Sequence, residues 1–197
     1  AGSGPYWEQR YANGYNSGAG SYGRLAKFKA DVINRFVSGH DVKSVIEFGC
    51  GDGNQLKLAN YVQYLGFDVS ETAVSSCREQ FCSDETKSFR LMKEYADERA
   101  DLALSLDVIY HLVENSIFEE YMATLFKASD QFVIIYSSDS DDNPRYQGIH
   151  VRHRKFSNWI AANVPHWKLR EHIPNKLPYR ADDREGSFAD FYIYEMV

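Results

Sequence analysis

Residues 45–53 read Val-Ile-Glu-Phe-Gly-Cys-Gly-Asp-Gly, and this stretch constrains the fold more than any other. An apolar run from Ser44 is interrupted by Glu47, three glycines then alternate at Gly49, Gly51 and Gly53, and Asn54-Gln55-Leu56-Lys57-Leu58-Ala59 follows. The pattern predicts a strand, a tight turn and a helix over Asn54–Tyr61. Glycine has no Cβ and tolerates positive φ, so backbone at such a turn can approach a ligand closely. In an open α/β sheet the crevice at the carboxyl end of the strands is where nucleotide-like ligands sit. The dinucleotide spacing G-x-G-x-x-G would need a third glycine where Asn54 stands, which disfavours a nicotinamide enzyme. The next strand ends in Asp68, roughly 20 residues on, where a carboxylate can accept from ribose hydroxyls.

The rest of the chain alternates in the same manner. Leu25, Phe28, Val32, Ile33, Phe36 and Val37 give residues 24–37 one apolar helix face. Strands are predicted at Val42–Phe48, Tyr64–Val69, Ser88–Met92, Ala100–Leu106 and Asp130–Tyr136. Helices are predicted at Ser70–Phe81, from near Val108 or at Asn115–Lys127, and at Lys155–Asn163. Trp167–Ile173 and Phe188–Met196 read as a closing hairpin at a sheet edge. Phe132-Val133-Ile134-Ile135 has the continuous apolar character of a strand buried on both faces. Alternating strands and helices imply a mainly parallel sheet covered by helices. Residues 5–23 are too aromatic for a disordered tail and read as an ordered lid or substrate-facing loop, able to bend at Gly18, Gly20 and Gly23.

Bulk properties narrow the function. At 197 residues, 44% of them hydrophobic, the chain suits one domain with a substantial core, taken as residues 5–197 with a lid and helix over 5–40 and a core over 41–197. Ala1-Gly2-Ser3-Gly4 resembles a linker or tag remnant, as expected of a domain cut from a larger protein. A net charge of −6 and a pI near 5.5 argue against a nucleic-acid partner, which calls for a basic face. No run of apolar residues is long enough for a membrane span, and no signal peptide is visible. The 3 cysteines lack zinc-site spacing, and their odd number fits a reduced, cytoplasmic compartment. Cys50 is read as a small turn residue rather than a nucleophile.

These segments together resemble the motifs of class I S-adenosylmethionine-dependent methyltransferases: Val45–Gly53, then Gly66-Phe67-Asp68-Val69-Ser70, then Ala103 to Leu112, then Phe132 to Tyr136. The resemblance implies a Rossmann-like class I methyltransferase fold, α/β, with a mainly parallel seven-stranded sheet flanked by helices and an antiparallel C-terminal hairpin. It implies S-adenosylmethionine as cofactor and S-adenosylhomocysteine as product, contacted by Glu47, Gly49, Cys50, Gly51, Asp68 and Val69, with Leu106 and Asp107 at the sulfonium end. Lys93-Glu94-Tyr95-Ala96 lacks the usual acidic residue of the adenine-side motif at an obvious place. Tyr6–Tyr11, Asn16–Leu25 and His150–Phe156 resemble small methyltransferases of bacterial and large-virus polysaccharide gene sets, which implies a sugar or glycan hydroxyl as acceptor.

A hydroxyl is a weak nucleophile and gains from a general base. His111, just past the fourth strand, is the first choice, and His150 or His153 could serve instead; the bland alternative for His111 is a packed histidine at a helix start. Arg152 and Arg154 could donate to the acceptor, and Tyr11, Tyr15 and Tyr22 could stack on it, against the plainer reading of a solvated basic patch and core packing. Asp107 with Asp139, Asp141 and Asp142 could hold Mg²⁺, although a solvated acidic loop is the favoured reading and no metal ligand is assigned. The alternatives kept open are a non-sugar small-molecule methyltransferase and a non-catalytic S-adenosylmethionine-binding module.

Overall fold

The computed structural model describes residues 2–144, 148–180 and 185–197. Among the described residues, twelve helices and strands run in the order α1 (Ser3–Ala12), α2 (Gly23–Gly39), β1 (Ser44–Phe48), β2 (Gln63–Asp68), α3 (Glu71–Gln80), β3 (Lys87–Leu91), β4 (Ala100–Leu106), α4 (Asn115–Lys127), β5 (Ser129–Ser137), α5 (Phe156–Asn163), β6 (Trp167–Ile173) and β7 (Asp190–Met196). The strands form a seven-stranded sheet in the order β3-β2-β1-β4-β5-β7-β6. The pairs from β3 to β5 are parallel, whereas β7 lies antiparallel between β5 and β6. The expected hairpin is therefore present and supplies one edge.

Strand order reverses at β1, with β2 on one side and β4 on the other. Crossover connections leave in opposite directions there, which opens a crevice beyond the carboxyl ends of the strands. The core lies on both faces of the sheet. Phe28, Ile33, Phe36, Leu102, Leu104 and Tyr136 pack on one, and Ile46, Phe48, Ala103, Met122, Leu125 and Ile135 on the other. Successive residues of β4 and β5 thus point to opposite layers, and both layers are apolar because helices cover both.

The structure corrects two local expectations. Residues 54–61 do not form a helix; a single 3₁₀ turn spans Gln55–Leu58. Gln55 Nε2 donates to the Ala26 carbonyl, Asn34 Nδ2 donates to the Leu58 carbonyl, and Asn34 Oδ1 accepts from the Asn60 amide. These bonds to α2 satisfy the groups that another helical turn would have used. Much of the expected loop over residues 5–23 is helix α1, followed by a 3₁₀ turn at Ala19–Ser21. The helix includes Ser3 and Gly4 of the expected linker remnant, and Ser3 Oγ donates to Glu114 Oε2 at 2.7 Å. Residue 1 of that remnant lies outside the described residues.

Candidate functional site

The glycine turn after β1 is built from positive-φ backbone: Gly49 (90°), Gly51 (58°) and Gly53 (75°). The amides of Gly49 and Cys50 both donate to the Phe67 carbonyl, at 2.7 and 3.0 Å, which folds the turn against the end of β2. A Cβ on Gly51 would collide with Ser17 Oγ and press on Tyr11 Oη, so glycine here serves close approach as well as φ. Asp68, at the end of β2, is buried, and its two carboxylate oxygens accept from the amides of Gly51 (2.9 Å) and Ser70 (3.0 Å). Burial pushes its pKa up, while those amides pull it down.

This turn floors a cavity of ≈ 470 Å³. Glu47, Gly49, Cys50, Gly51, Asp68, Val69, Leu106, Asp107 and His111 all line it, so the structure gathers the whole expected cofactor set and the first-choice base around one space. Val69, half exposed, lies with Met92, Lys93 and Ile117 among its walls, while Ser17, Ser21, Lys29 and Gln55 give it polar groups. Asp68 and Asp107 end strands that flank β1, about 10 Å apart at the usual strand spacing. Burial raises the Glu47 carboxyl to about 7 against the opposing Tyr64 hydroxyl, 2.6 Å away, and the nearby Lys29 charge. Hydrogen bonding to Cys77 and burial push the Cys50 thiol up, the opposite of what a nucleophile needs.

Asp107 sits in the left-handed region (φ 60°) just past β4. Its Oδ2 takes the Lys29 ammonium at 2.7 Å and its Oδ1 the Tyr110 hydroxyl at 2.7 Å. Lys29 is only 1% exposed, and its Nζ also lies 5.3 Å from the Tyr136 ring centroid. Sequence reasoning missed this residue. The signal was present, because Lys29 falls between Leu25 and Val32 on the apolar stripe of α2, where a lysine has no reason to be without a partner.

His111 follows in a short 3₁₀ turn, Ile109–His111. Its Nδ1 lies 3.0 Å from the His150 carbonyl oxygen. A carbonyl only accepts, so Nδ1 carries the proton and Nε2 of the neutral ring is left as an acceptor. Burial lowers the His111 pKa, outweighing the His150 carbonyl and the Asp107 charge, and the imidazole is neutral at pH 7. Trp7 meets it edge-on at 4.9 Å. His150 turns its own ring onto Tyr6, stacked at 4.1 Å, so it supports His111 through its backbone. His153 bonds Ser138 Oγ through Nδ1 at 2.6 Å and packs on Phe188; neither it nor His150 is among the cavity-lining residues.

The basic pair has structural partners. Arg154 donates to Asn115 Oδ1 and to the carbonyls of Leu112 and Val113, with its guanidinium 4.8 Å over the Phe118 ring. Arg152, exposed, donates to the Val113 carbonyl. Both brace the loop that carries His111. The acidic loop is similarly engaged: Asp139 accepts from the Ser157 amide and Asp141 from the Lys155 amide. Asp107 is held by Lys29 and Tyr110, so these carboxylates do not converge as the Mg²⁺ idea required. Among the described residues no three metal-ligating side chains gather.

The N-terminal segment is latched across the turn. Asp52 Oδ2 accepts from the Ser17 amide (2.9 Å) and the Tyr22 hydroxyl (2.7 Å), and Ser17 Oγ accepts from the Asp52 amide and pairs with Tyr11 Oη. Burial pushes the Asp52 carboxyl up, but the Ser17 and Asn54 amides and the Tyr22 hydroxyl outweigh it and hold the pKa below the usual range. Glu8 of α1 accepts from the hydroxyls of Ser70 and Thr72 at the N-terminus of α3, both at 2.6 Å, which lowers its pKa. Tyr11 is thus buried in the cavity wall, and Tyr22 is a latch residue outside that wall. Tyr15 is exposed, beside Arg10. No sequence signal announced the pairing of Glu8 with α3, because the partners are far apart in the chain.

A model of the family described as methyltransferase domain matches residues 22–180. No curated protein matches the chain in sequence. Among solved structures, the N-methyltransferase NodS from Bradyrhizobium japonicum WM9 in complex with S-adenosyl-L-homocysteine is similar over 100% of this chain and 99% of its own, with a TM-score of 0.76 and 16% identity. Magnesium protoporphyrin IX methyltransferase from Synechocystis PCC 6803 with bound S-adenosylmethionine is similar over 100% of this chain and 98% of its own, with a TM-score of 0.68 and 12% identity. The methyltransferase domain of bacterial CtHen1 is similar over 85% of this chain and 96% of its own, with a TM-score of 0.65 and 20% identity. At these identities the likeness is one of fold.

Proposed function

Since the chain belongs to the methyltransferase domain family, matched over residues 22–180, we propose that it is an O-methyltransferase that methylates a sugar hydroxyl with His111 as general base. The observation that carries the base is the His111 ring: neutral, fixed in one tautomer by the His150 carbonyl, and facing the cavity beside Asp107.

The residues present fit the cofactor. Asp68 accepts from the backbone amides of Gly51 and Ser70, with the Val69 amide also acting on it, and a carboxylate has about four acceptor sites, so part of its capacity is left for a ribose hydroxyl. Val69, Met92 and Ile117 offer apolar surface for adenine, and Gly49, Leu106 and Asp107 line the same cavity. S-adenosylmethionine, once bound, supplies a methyl already activated by its sulfonium.

The protein's work is then placement and proton removal. Trp7 from α1 and Leu112 from the β4–α4 connection wall the space next to His111. His111 Nε2 accepts the hydroxyl proton as the O–C bond forms. The His150 carbonyl, bonded to Nδ1–H, stabilises the imidazolium that results. Trp7, which meets His111 edge-on in the cavity wall, offers an aromatic surface with a polar edge, which suits a sugar ring. Arg152 and His150 stand beyond this wall as candidate donors to a longer glycan.

The test is methyl transfer from labelled S-adenosylmethionine to short glycans, with small phenols and RNA alongside, each with and without Mg²⁺. Label on a sugar supports the reading; label confined to phenols or RNA replaces the acceptor while keeping the family's chemistry. Binding of the cofactor with no transfer to any acceptor would favour a non-catalytic module. His111→Ala should keep S-adenosylhomocysteine affinity and lose about 10²–10⁴ in rate. Activity near wild type would remove His111 from the role.

A further inference from the structure

Two buried polar atoms in the cavity wall are under-used by the protein itself. Gln55 donates from Nε2 to the Ala26 carbonyl at 3.0 Å, but its Oε1 is buried with no hydrogen-bond partner. Leaving a buried acceptor unpaired is costly and calls for an explanation. Lys29 is the second case. Its ammonium has three N–H donors, is 1% exposed, and makes one hydrogen bond, to Asp107 Oδ2. A second direction is taken up by the Tyr136 ring.

Both residues line the same cavity. Lys29 is one helical turn beyond Ala26, the residue that holds the Gln55 amide. Asp107, held by Lys29, is close enough to Gly20 that a Cβ there would meet its Oδ2 at 2.7 Å, and Gly20 adjoins Ser21, another residue of the cavity wall. This corner therefore combines a cation, an anion and a neutral acceptor, with no net charge from the ion pair. The ligand chemistry that fits such a set is a zwitterion, one group accepting from Lys29 and one donating to Gln55 and Asp107.

We propose that Lys29 and Gln55 form the subsite for the α-amino acid end of the cofactor, Lys29 binding the α-carboxylate and Gln55 Oε1 accepting from the α-ammonium. This rests on the cofactor reading given above. The subsite makes the protein selective for ligands that carry both groups. S-adenosylhomocysteine satisfies it, whereas 5′-methylthioadenosine, which lacks the amino acid, and the decarboxylated analogue, which lacks only the carboxylate, do not.

The experiment is calorimetric titration of wild type, Lys29→Met and Gln55→Leu with these three ligands, with circular dichroism melts to verify folding. Wild type should bind S-adenosylhomocysteine about ten- to a hundredfold more tightly than the decarboxylated analogue, the range expected of a charge-assisted hydrogen bond. Lys29→Met should erase that difference and leave 5′-methylthioadenosine within about threefold of wild type. Gln55→Leu should weaken S-adenosylhomocysteine and again spare 5′-methylthioadenosine. Should Lys29→Met fail to fold, the wild-type ligand series and Gln55→Leu decide. Equal loss for all three ligands in the folded variants, or a wild type indifferent to the carboxylate, overturns the subsite while leaving the cofactor reading intact. A wild type that binds none of the three overturns both.

Discussion

Replacing Lys29 by Met removes the cation from a buried pair and strands Asp107. The side chain of Asp107 is 16% exposed and that of Lys29 is 1% exposed, so little water reaches either. Breaking such a pair from one side costs about 3–5 kcal/mol. Asp107 still accepts from Tyr110, which offsets part of the loss, so the expected value is about 3 kcal/mol. For a domain of this size that is a fall in Tm of about 6–12 °C. Asp107→Asn performs the complementary cut and keeps a residue that tolerates positive φ. Urea unfolding of both variants at pH 7, with the m-value checked for constancy, reads the two deficits. Deficits below about 1 kcal/mol in both variants would refute the description of this pair as a buried, mutually dependent charge couple.

Two further outcomes follow from carboxyl groups with displaced pKa values. Glu47, raised to about 7 by burial, is half protonated in the free protein at neutral pH, and a sulfonium in the cavity favours its ionised form. Binding of S-adenosylmethionine should release protons and strengthen from about pH 6 to pH 8, more than binding of S-adenosylhomocysteine does; the slope should vanish in Glu47→Gln, and calorimetry in buffers of different ionisation enthalpy measures it. With its folded pKa above its unfolded one, Glu47 also contributes stability at low pH that is lost as pH rises through about 7. Glu8 and Asp52 have the opposite sign: their folded pKa values are depressed, so the latch they make is complete above the ordinary carboxylate range and is lost as pH falls through the depressed values. Protease accessibility of residues 13–22 should therefore stay low at pH 5 and rise only below about pH 4, and a latch that opened already at pH 6 would contradict the assignment.

Backbone chemistry made the centre of this molecule legible in its sequence. The alternating glycines need positive φ, the strand before them needs an apolar run, and Asp68 must end the neighbouring strand, so the order of residue types alone located the crevice floor. The strand buried on both faces was equally plain, because β5 carries Phe132-Val133-Ile134-Ile135 without interruption. What was not legible depends on contacts between distant segments. The Asn54–Tyr61 stretch has helix-compatible residues, yet bonds from Asn34 and to Ala26 turn it aside after one turn. Helix α1 was hidden by its Gly, Pro and Tyr content and is tied down through Ser3 to Glu114 and Glu8 to α3. Arg154 read as a donor for an acceptor because the sequence could not reveal that the carbonyls of Leu112 and Val113 converge on its guanidinium. The place of His111 just past β4 was legible, but its tautomer, which decides whether it has a lone pair to offer, is set by the His150 carbonyl, 39 residues further along the chain.

Helix α1, only 10 residues long, borders two parts of one cavity at once: Tyr11 lies at the glycine turn and Trp7 beside His111. A single short helix, pinned at one side by Glu8 to the start of α3, therefore sets the shape of both regions together. A substitution that loosened that pin would be felt at the glycine turn and beside His111 alike, so the two regions cannot be re-tuned one at a time from this side.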